Sequence, residues 1–262
     1  MIKENEIIKF TLLGTGTSQG VPVIGCKCNT CISKDSKDNR SRSSLLVSYS
    51  DTNIVVDTGP DFRFQMLREN VLSLDAVLLT HDHHDHVAGL DDVRAFNFIQ
   101  KKSMPVYSNN NTFENIKRYY YYAFEDYEYP GLPKFNLIQV DSDAFYINNH
   151  KIIPVKAFHS KMPILGFRFN NLTYLTDISF IEEQEKEKIL GSQVLIVSAP
   201  RKKKHNAHFN LYEAIDFSKE LKIPQTYVTH IGHSMGRYEE VQKELPDNVS
   251  LAYDGLKLIT HL

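Results

Sequence analysis

Within Thr80-His81-Asp82-His83-His84-Asp85-His86 the chain places four of its eleven histidines. Imidazoles and carboxylates crowded this closely are costly to keep together unless a cation sits among them, so metal ligation is the chemistry the stretch is suited to. The spacing His81-x-His83-x-Asp85-His86 is not the i, i+4 pair in which two histidines share one face of a helix. On a loop, His81 and His83 can face one ion while Asp85 and His86 face a second.

Single ligands arrive later in the chain. His159, Asp177 and His230 each follow a short apolar run, so that His159 would complete the first site, His230 the second, and Asp177 would bridge them. That gives three to four protein ligands per ion and leaves room for water. Two ions about 3.5–4 Å apart lower the pKa of a bridging water and neutralise charge on a displaced phosphoryl or carbonyl oxygen. The residues therefore describe a hydrolase working through a metal-bound hydroxide. Imidazole and carboxylate ligands suit zinc, manganese or iron alike.

A second ligand set is Cys26-Lys27-Cys28-Asn29-Thr30-Cys31, which holds all three cysteines of the chain. An odd number of thiols this close together argues against a disulfide framework. Three thiolates at this spacing can wrap one tetrahedral zinc and need a nitrogen from elsewhere as the fourth ligand. Reduced, redox-active thiols are the other reading.

These ligands need elements to hold them. Asp75 to Thr80 reads as a buried strand delivering the histidine loop, and Val87 to Phe96 as a turn entering a helix. Ile7 to Leu13 reads as a strand, Leu45 to Tyr49 and Asn53 to Asp57 as a hairpin, and Pro60 to Glu69 as a helix. Further on, the patterning predicts strands at 104–107, 135–140, 144–147, 151–158, 164–169, 172–176, 193–198, 226–229, 249–253 and 257–260. Helices are expected at 112–124, 180–190, 211–222 and 238–245. Three later ligands thus each terminate a strand, where an open α/β sheet exposes functional groups. Asp57, also at a strand end, is either an acceptor behind the histidine loop or a turn former. The loop Gly14-Thr15-Gly16-Thr17-Ser18-Gln19-Gly20 lets the backbone pass close to a ligand or to another chain segment, and it lacks the lysine of a P-loop.

The remaining polar features carry two readings each. His208, ahead of a helix, is either a surface histidine or a proton donor to a leaving group, with His205 a competitor. Arg63 and Arg94 are candidate phosphate contacts, against ordinary surface ion pairs. Tyr119-Tyr120-Tyr121-Tyr122, followed by Tyr127 and Tyr129, is either a lid or dimer surface, or a helix that buries two tyrosines and leaves the others half exposed. Arg201-Lys202-Lys203-Lys204 is a solvated basic loop in the simplest reading.

At 262 residues, 42% hydrophobic, 24% charged and with a formal charge of −2, the chain has the makings of one globular domain spanning 1–262 and no global attraction for nucleic acid. The opening Met1 to Phe10 lacks the apolar run of a secretory signal, and no segment approaches the roughly 18 apolar residues of a membrane span. A cytoplasmic protein is expected.

Taken together, Thr80-His81-x-His83-x-Asp85-His86 with His159, Asp177 and His230 resembles the metallo-β-lactamase fold superfamily, whose four-layer αββα sandwich fits this order of elements. Leu13-Gly14-Thr15-Gly16-Thr17-Ser18-Gln19-Gly20-Val21-Pro22, the three cysteines and Thr229-His230-x-x-His233 look like the PhnP-type phosphodiesterases, which hydrolyse cyclic phosphodiesters such as phosphoribosyl 1,2-cyclic phosphate. The resemblance spans nearly the whole chain. It implies two catalytic divalent ions, manganese or zinc, on His81, His83, Asp85, His86, His159, Asp177 and His230, with Asp85 a catalytic residue as well as a ligand. It further implies a structural zinc on Cys26, Cys28, Cys31 and His233, and a general acid at His208. Thr229 to His233 would then tie the two centres together. The implied partner is a small phosphodiester. Rivals are a tRNA 3′-end endonuclease, for which no long basic arm is present, and a non-catalytic cofactor-assembly protein, which would be expected to lack ligands that this chain keeps.

Overall fold

A computed structural model describes residues 7–125 and 129–261. Tyr127 of the aromatic run, and the part of the opening segment before Ile7, lie outside the described residues. Among the described residues the strands form two seven-stranded sheets. The first contains β1 (Ile7–Gly14), β2 (Ser44–Ser48), β3 (Asn53–Val56), β4 (Ala76–Leu78), β5 (Met104–Ser108) and β6 (Phe135–Gln139), with the last strand of the chain, β14 (Lys257–His261), on the far side of β1. The second runs from β7 (Phe145–Ile147) through β8 (His150–His159), β9 (Met162–Phe169), β10 (Leu172–Leu175), β11 (Val194–Ser198) and β12 (Gln225–Thr229) to β13 (Val249–Leu251).

Alternation along the strands explains the layering. In β3 and β4, Ile54, Val56, Ala76 and Leu78 point into the core between the sheets, while Val55 and Val77 point to the opposite face. In β11, Ile196 faces inward and Leu195 and Val197 outward. A sheet buried on both faces needs a cover on each outer side. On the first sheet α1 (Phe62–Arg68), α3 (Arg94–Gln100) and α4 (Asn110–Tyr119) supply it through Phe62, Met66, Phe96, Phe113 and Ile116. On the second, α6 (Leu211–Glu220) and α7 (Tyr238–Gln242) do so through Leu211, Ala214, Phe217 and Val241. The result is the αββα sandwich.

Several boundaries differ from the sequence expectation. The helix expected over 112–124 starts at Asn110, capped by the Asn109 side chain, and ends at Tyr119; a short 3-10 turn, Tyr121–Ala123, follows. Tyr120 is buried with its hydroxyl donating to Val87 O, and Tyr122 donates to Asp91, while Tyr119 and Tyr121 stay exposed. The helix expected over 180–190 shrinks to α5 (Glu183–Glu187), because the backbone at Phe180 is bridged to Phe158 instead. The glycine loop serves close packing of chain segments: a Cβ at Gly14 would stand 1.8 Å from the Arg42 carbonyl, and Gly16 bridges both Arg42 and Ile231. No helix among the described residues is long and apolar enough to cross a membrane.

Strand direction sets where the ligands emerge. β3, β4, β5 and β6 run parallel, as do β10, β11, β12 and β13. The chain leaves β3 at Asp57, β4 toward His81, β10 toward Asp177 and β12 at His230, and the antiparallel β8 ends on His159.

Candidate metal centre

At three of these exits the backbone turns left-handed in a residue other than glycine: Asp57 at φ 63°, Asp177 at 56° and His230 at 55°. Each such residue costs about 1–3 kcal/mol and persists only where its surroundings hold it. Here the turn swings a carboxylate or imidazole from the strand axis toward one shared space. α2 (His84–Val87) carries Asp85 and His86 into the same space from the end of β4.

The ligand atoms converge. One potential metal-holding group comprises His81, His86 and Asp177, a second Asp85, His86 and His230, and a third His159, Asp177 and His208, the ligand atoms of each lying within 4.8 Å of one another. His83 stands beside them, its ring 4.7 Å from that of His81 and 5.1 Å from that of His159. Asp177 lies between the groups: Oδ2 is 3.2 Å from His86 Nε2, and Oδ1 is 3.2 Å from His230 Nε2 and 3.5 Å from His208 Nδ1.

Hydrogen bonds behind the cluster fix which nitrogen faces it. Asp57, fully buried, accepts from His86 Nδ1 at 2.7 Å, from the Thr80 backbone N–H at 2.8 Å and from the Thr80 hydroxyl at 2.9 Å. With that hydroxyl donating to Asp57, the 2.9 Å contact between Thr80 Oγ1 and His81 Nδ1 is a bond donated by the imidazole. His159 Nδ1 donates to the Ala207 carbonyl at 2.7 Å. All three imidazoles therefore turn an Nε2 lone pair toward the cluster.

The charges in this space favour a cation. His81 Nε2 and His86 Nε2 are buried without a hydrogen-bond partner, although the latter lies 3.2 Å from both Asp85 and Asp177. Lone pair then faces lone pair, an arrangement a metal ion resolves. Burial disfavours the His86 imidazolium, but Asp177, Asp57 and Asp85 outweigh it and hold its pKa well above the ordinary value, a sign of how strongly this space favours positive charge. Burial raises Asp57, with His86 opposing. Against burial, His230 and His86 draw Asp177 well below the usual carboxylate range, and His86 does the same for Asp85. Burial also drives His81 well below its usual value and His208 down to about 3, Asp177 opposing in both.

The second centre is compact. Sγ of Cys26, Cys28 and Cys31 lie 3.3, 3.5 and 3.5 Å from His233 Nδ1. A tetrahedral zinc with bonds of about 2.3 Å to sulfur and about 2.0–2.1 Å to nitrogen sets S···N separations near 3.5 Å, so the four donors fit it. The Cys31 backbone N–H, together with the neighbouring thiols, draws Cys28 down to about 6.

Other candidates fall outside the ligand cluster. Arg94 pairs with Asp91 at 3.3 Å, and Arg63 lies over the Phe64 ring beside the groove between α1 and α3. His205 accepts from the Ala207 backbone N–H, its ring 4.7 Å from that of His208, which is the nearer of the two to Asp177. His84 is exposed and packs on Tyr119 at 4.8 Å. Thr80 heads the histidine motif in sequence, but its role as the link between Asp57 and His81 has no sequence signal beyond its position between a buried strand and the first histidine. The Ala207 carbonyl has no sequence signal at all.

Residues 52–231 match the model of the Beta-lactamase superfamily domain. A crystal structure of a diphosphatase from the PhnP family is 38% identical, with a TM-score of 0.92 over 98% of each chain. An octanoyltransferase of Porphyromonas gingivalis is 37% identical over 255 residues, which are 96% of this chain and 51% of that protein, so the chain spans about half the length of this curated relative. Zinc-bound PqqB from Methylobacterium extorquens shares the fold, with a TM-score of 0.77 at 19% identity over 95% of this chain and 99% of that one.

Proposed function

The chain belongs to the beta-lactamase superfamily as a PhnP-like, metal-dependent hydrolase, and from that premise we propose that it is a dinuclear phosphodiesterase of the cytoplasm acting on a small cyclic or nucleotide-like phosphodiester. The observation that carries this reading is Asp177, whose two oxygens face His86 on one side and His230 on the other at 3.2 Å. In this reading His81, His83 and His159 would hold one ion and Asp85, His86 and His230 the other, with Asp177 available to both. Manganese or zinc bound there supplies Lewis acidity and lowers the pKa of a water.

The protein's own groups do the positioning. Asp57 holds His86 directly and His81 through Thr80, so both imidazoles present Nε2 before any ion arrives. That preorganisation removes reorientation from the reaction itself. His208 sits at the rim, in contact with Asp177 and with its ring 4.5 Å from that of His159; held neutral by burial, it would donate a hydrogen bond from its imidazole N–H to a departing alkoxide. Cys26, Cys28, Cys31 and His233 would hold a structural zinc apart from the chemistry.

Protein reconstituted with manganese or zinc, its metal content measured on the same sample, should hydrolyse bis(p-nitrophenyl) phosphate and at least one of a panel of cyclic phosphodiesters. A filled site with no turnover on any of them overturns the proposal. Because the 38% identical relative is a diphosphatase by name, diphosphate esters belong in the panel. Turnover confined to them would move the assignment to that class.

A further inference from the structure

A cavity of about 470 Å³ opens beside the His81, His83 and His159 side of the cluster. Its place is fixed by covalent and hydrogen-bonded neighbours of the ligands. Ala157 and Phe158 of its wall run directly into His159; Leu165 donates its backbone N–H to the carbonyl of Thr80, which precedes His81. Across from them the wall is the start of α4, whose Asn115 side chain donates to Asp82 inside the histidine loop. The cavity therefore lies along the same edge of the sandwich as the ligands, past the ends of β5 and β6.

The lining has a definite chemistry. Asn110, Asn111 and Gln139 present carboxamides that make no hydrogen bond among the described residues, so each has donors and an acceptor to offer. Val140, Phe158 and Ile164 supply apolar wall. Of three carboxylates in the wall, Asp141 pairs with Lys156 at 2.5 Å and Glu185 with Lys188 at 2.9 Å, and Glu182 has no cationic partner among the described residues. The one uncompensated carboxylate disfavours an anion here; an uncharged group with both donors and acceptors is favoured. The volume falls within the roughly 300–1,000 Å³ typical of small-ligand sites.

We propose that this cavity binds a nucleoside, the uncharged arm of a phosphodiester whose phosphorus lies at the metal centre. The inference rests on the phosphodiesterase reading and narrows it to nucleotide esters, with the carboxamides of Asn110, Asn111 and Gln139 reading the edge of the base.

The test compares two chromogenic diesters on the metal-loaded protein: thymidine 5′-(p-nitrophenyl phosphate), which has a nucleoside arm, and bis(p-nitrophenyl) phosphate, which has none. The native protein should favour the nucleoside ester in kcat/KM. Asn110→Trp, which fills the cavity from its exposed rim, and Gln139→Leu, which removes a carboxamide, should each lower kcat/KM for that ester by about tenfold or more while leaving the bis-aryl ester within about twofold. Equal loss on both esters, no loss on either, or no preference in the native protein overturns the subsite. If neither ester is turned over, the phosphodiesterase reading has failed, and the subsite is judged by calorimetric titration with thymidine. Binding abolished by Asn110→Trp supports it; absence of binding to the native protein overturns it.

Discussion

Asp57 accepts the Nδ1 proton of His86 at 2.7 Å in a place where neither side chain is exposed to solvent. Replacing it with asparagine keeps the volume but turns an NH2 group toward donors. Asp57→Asn should lower the affinity of the cluster for zinc or manganese by about 10–100-fold, the usual effect of removing such an acceptor. Competition with a chromophoric chelator measures it. Unchanged affinity would show that the Asp57 bond does not set the orientation of His86.

Chelation should separate two classes of ion. The four donors of the cysteine centre can close a tetrahedral set around zinc, whereas an ion in the histidine cluster, in the proposed reading, would keep a position for water. Mild EDTA treatment should therefore remove catalytic metal first, leaving about one zinc per chain. Cys31→Ser should lose that zinc and lower the unfolding temperature while the remaining metal stays with the histidines. Elemental analysis decides it: simultaneous loss of all metal in proportion would reject two independent classes.

Removal of His208 should matter in proportion to the leaving group. With p-nitrophenolate, a good leaving group, His208→Ala should cost little. With an alkoxide leaving group the loss should reach about 10²–10³ in kcat, the range for removing one hydrogen-bond donor to a developing oxyanion. His205→Ala should spare both, since His205 is the farther from Asp177. A loss independent of leaving group would assign His208 to metal binding.

The same residue predicts an acid limb in stability. Burial holds His208 at about 3 in the folded protein, whereas an unfolded histidine titrates near 6.5. Between these values the unfolded chain takes a proton that the folded state refuses, so stability is lost as pH falls through that window. One such group contributes a slope of about 1.4 kcal/mol per pH unit. Urea midpoints of the metal-free protein from pH 7 to pH 4.5 should fall less steeply in His208→Gln than in the native chain; parallel curves would show that His208 titrates normally.

Much of the scaffold was legible because the strands alternate or run apolar and the ligands sit at their ends. Ala76-Val77-Leu78 is buried on both faces and reads as a strand from residue type alone. Helix ends were less legible: Phe180 leaves its helix because Phe158, twenty-two residues earlier in sequence, offers it a backbone bridge, and such a long-range competitor is invisible to local patterning. The ligand types were evident, and the structure brings His81, His86, His159, Asp177 and His230 together. What sequence could not supply was which nitrogen each imidazole turns inward, because that is set by a threonine hydroxyl and a backbone carbonyl. Arg63 and Arg94 had only their charge and position to recommend them, and each is engaged elsewhere on the surface.

His230 and His233 are separated by two residues, Ile231 and Gly232, whose backbone N–H groups donate to Thr15 O and Pro200 O. A segment held at both ends and in the middle has little freedom to move one histidine without the other. The short tether therefore works as a ruler: it would fix the separation of the two candidate centres while leaving each to fill on its own donors.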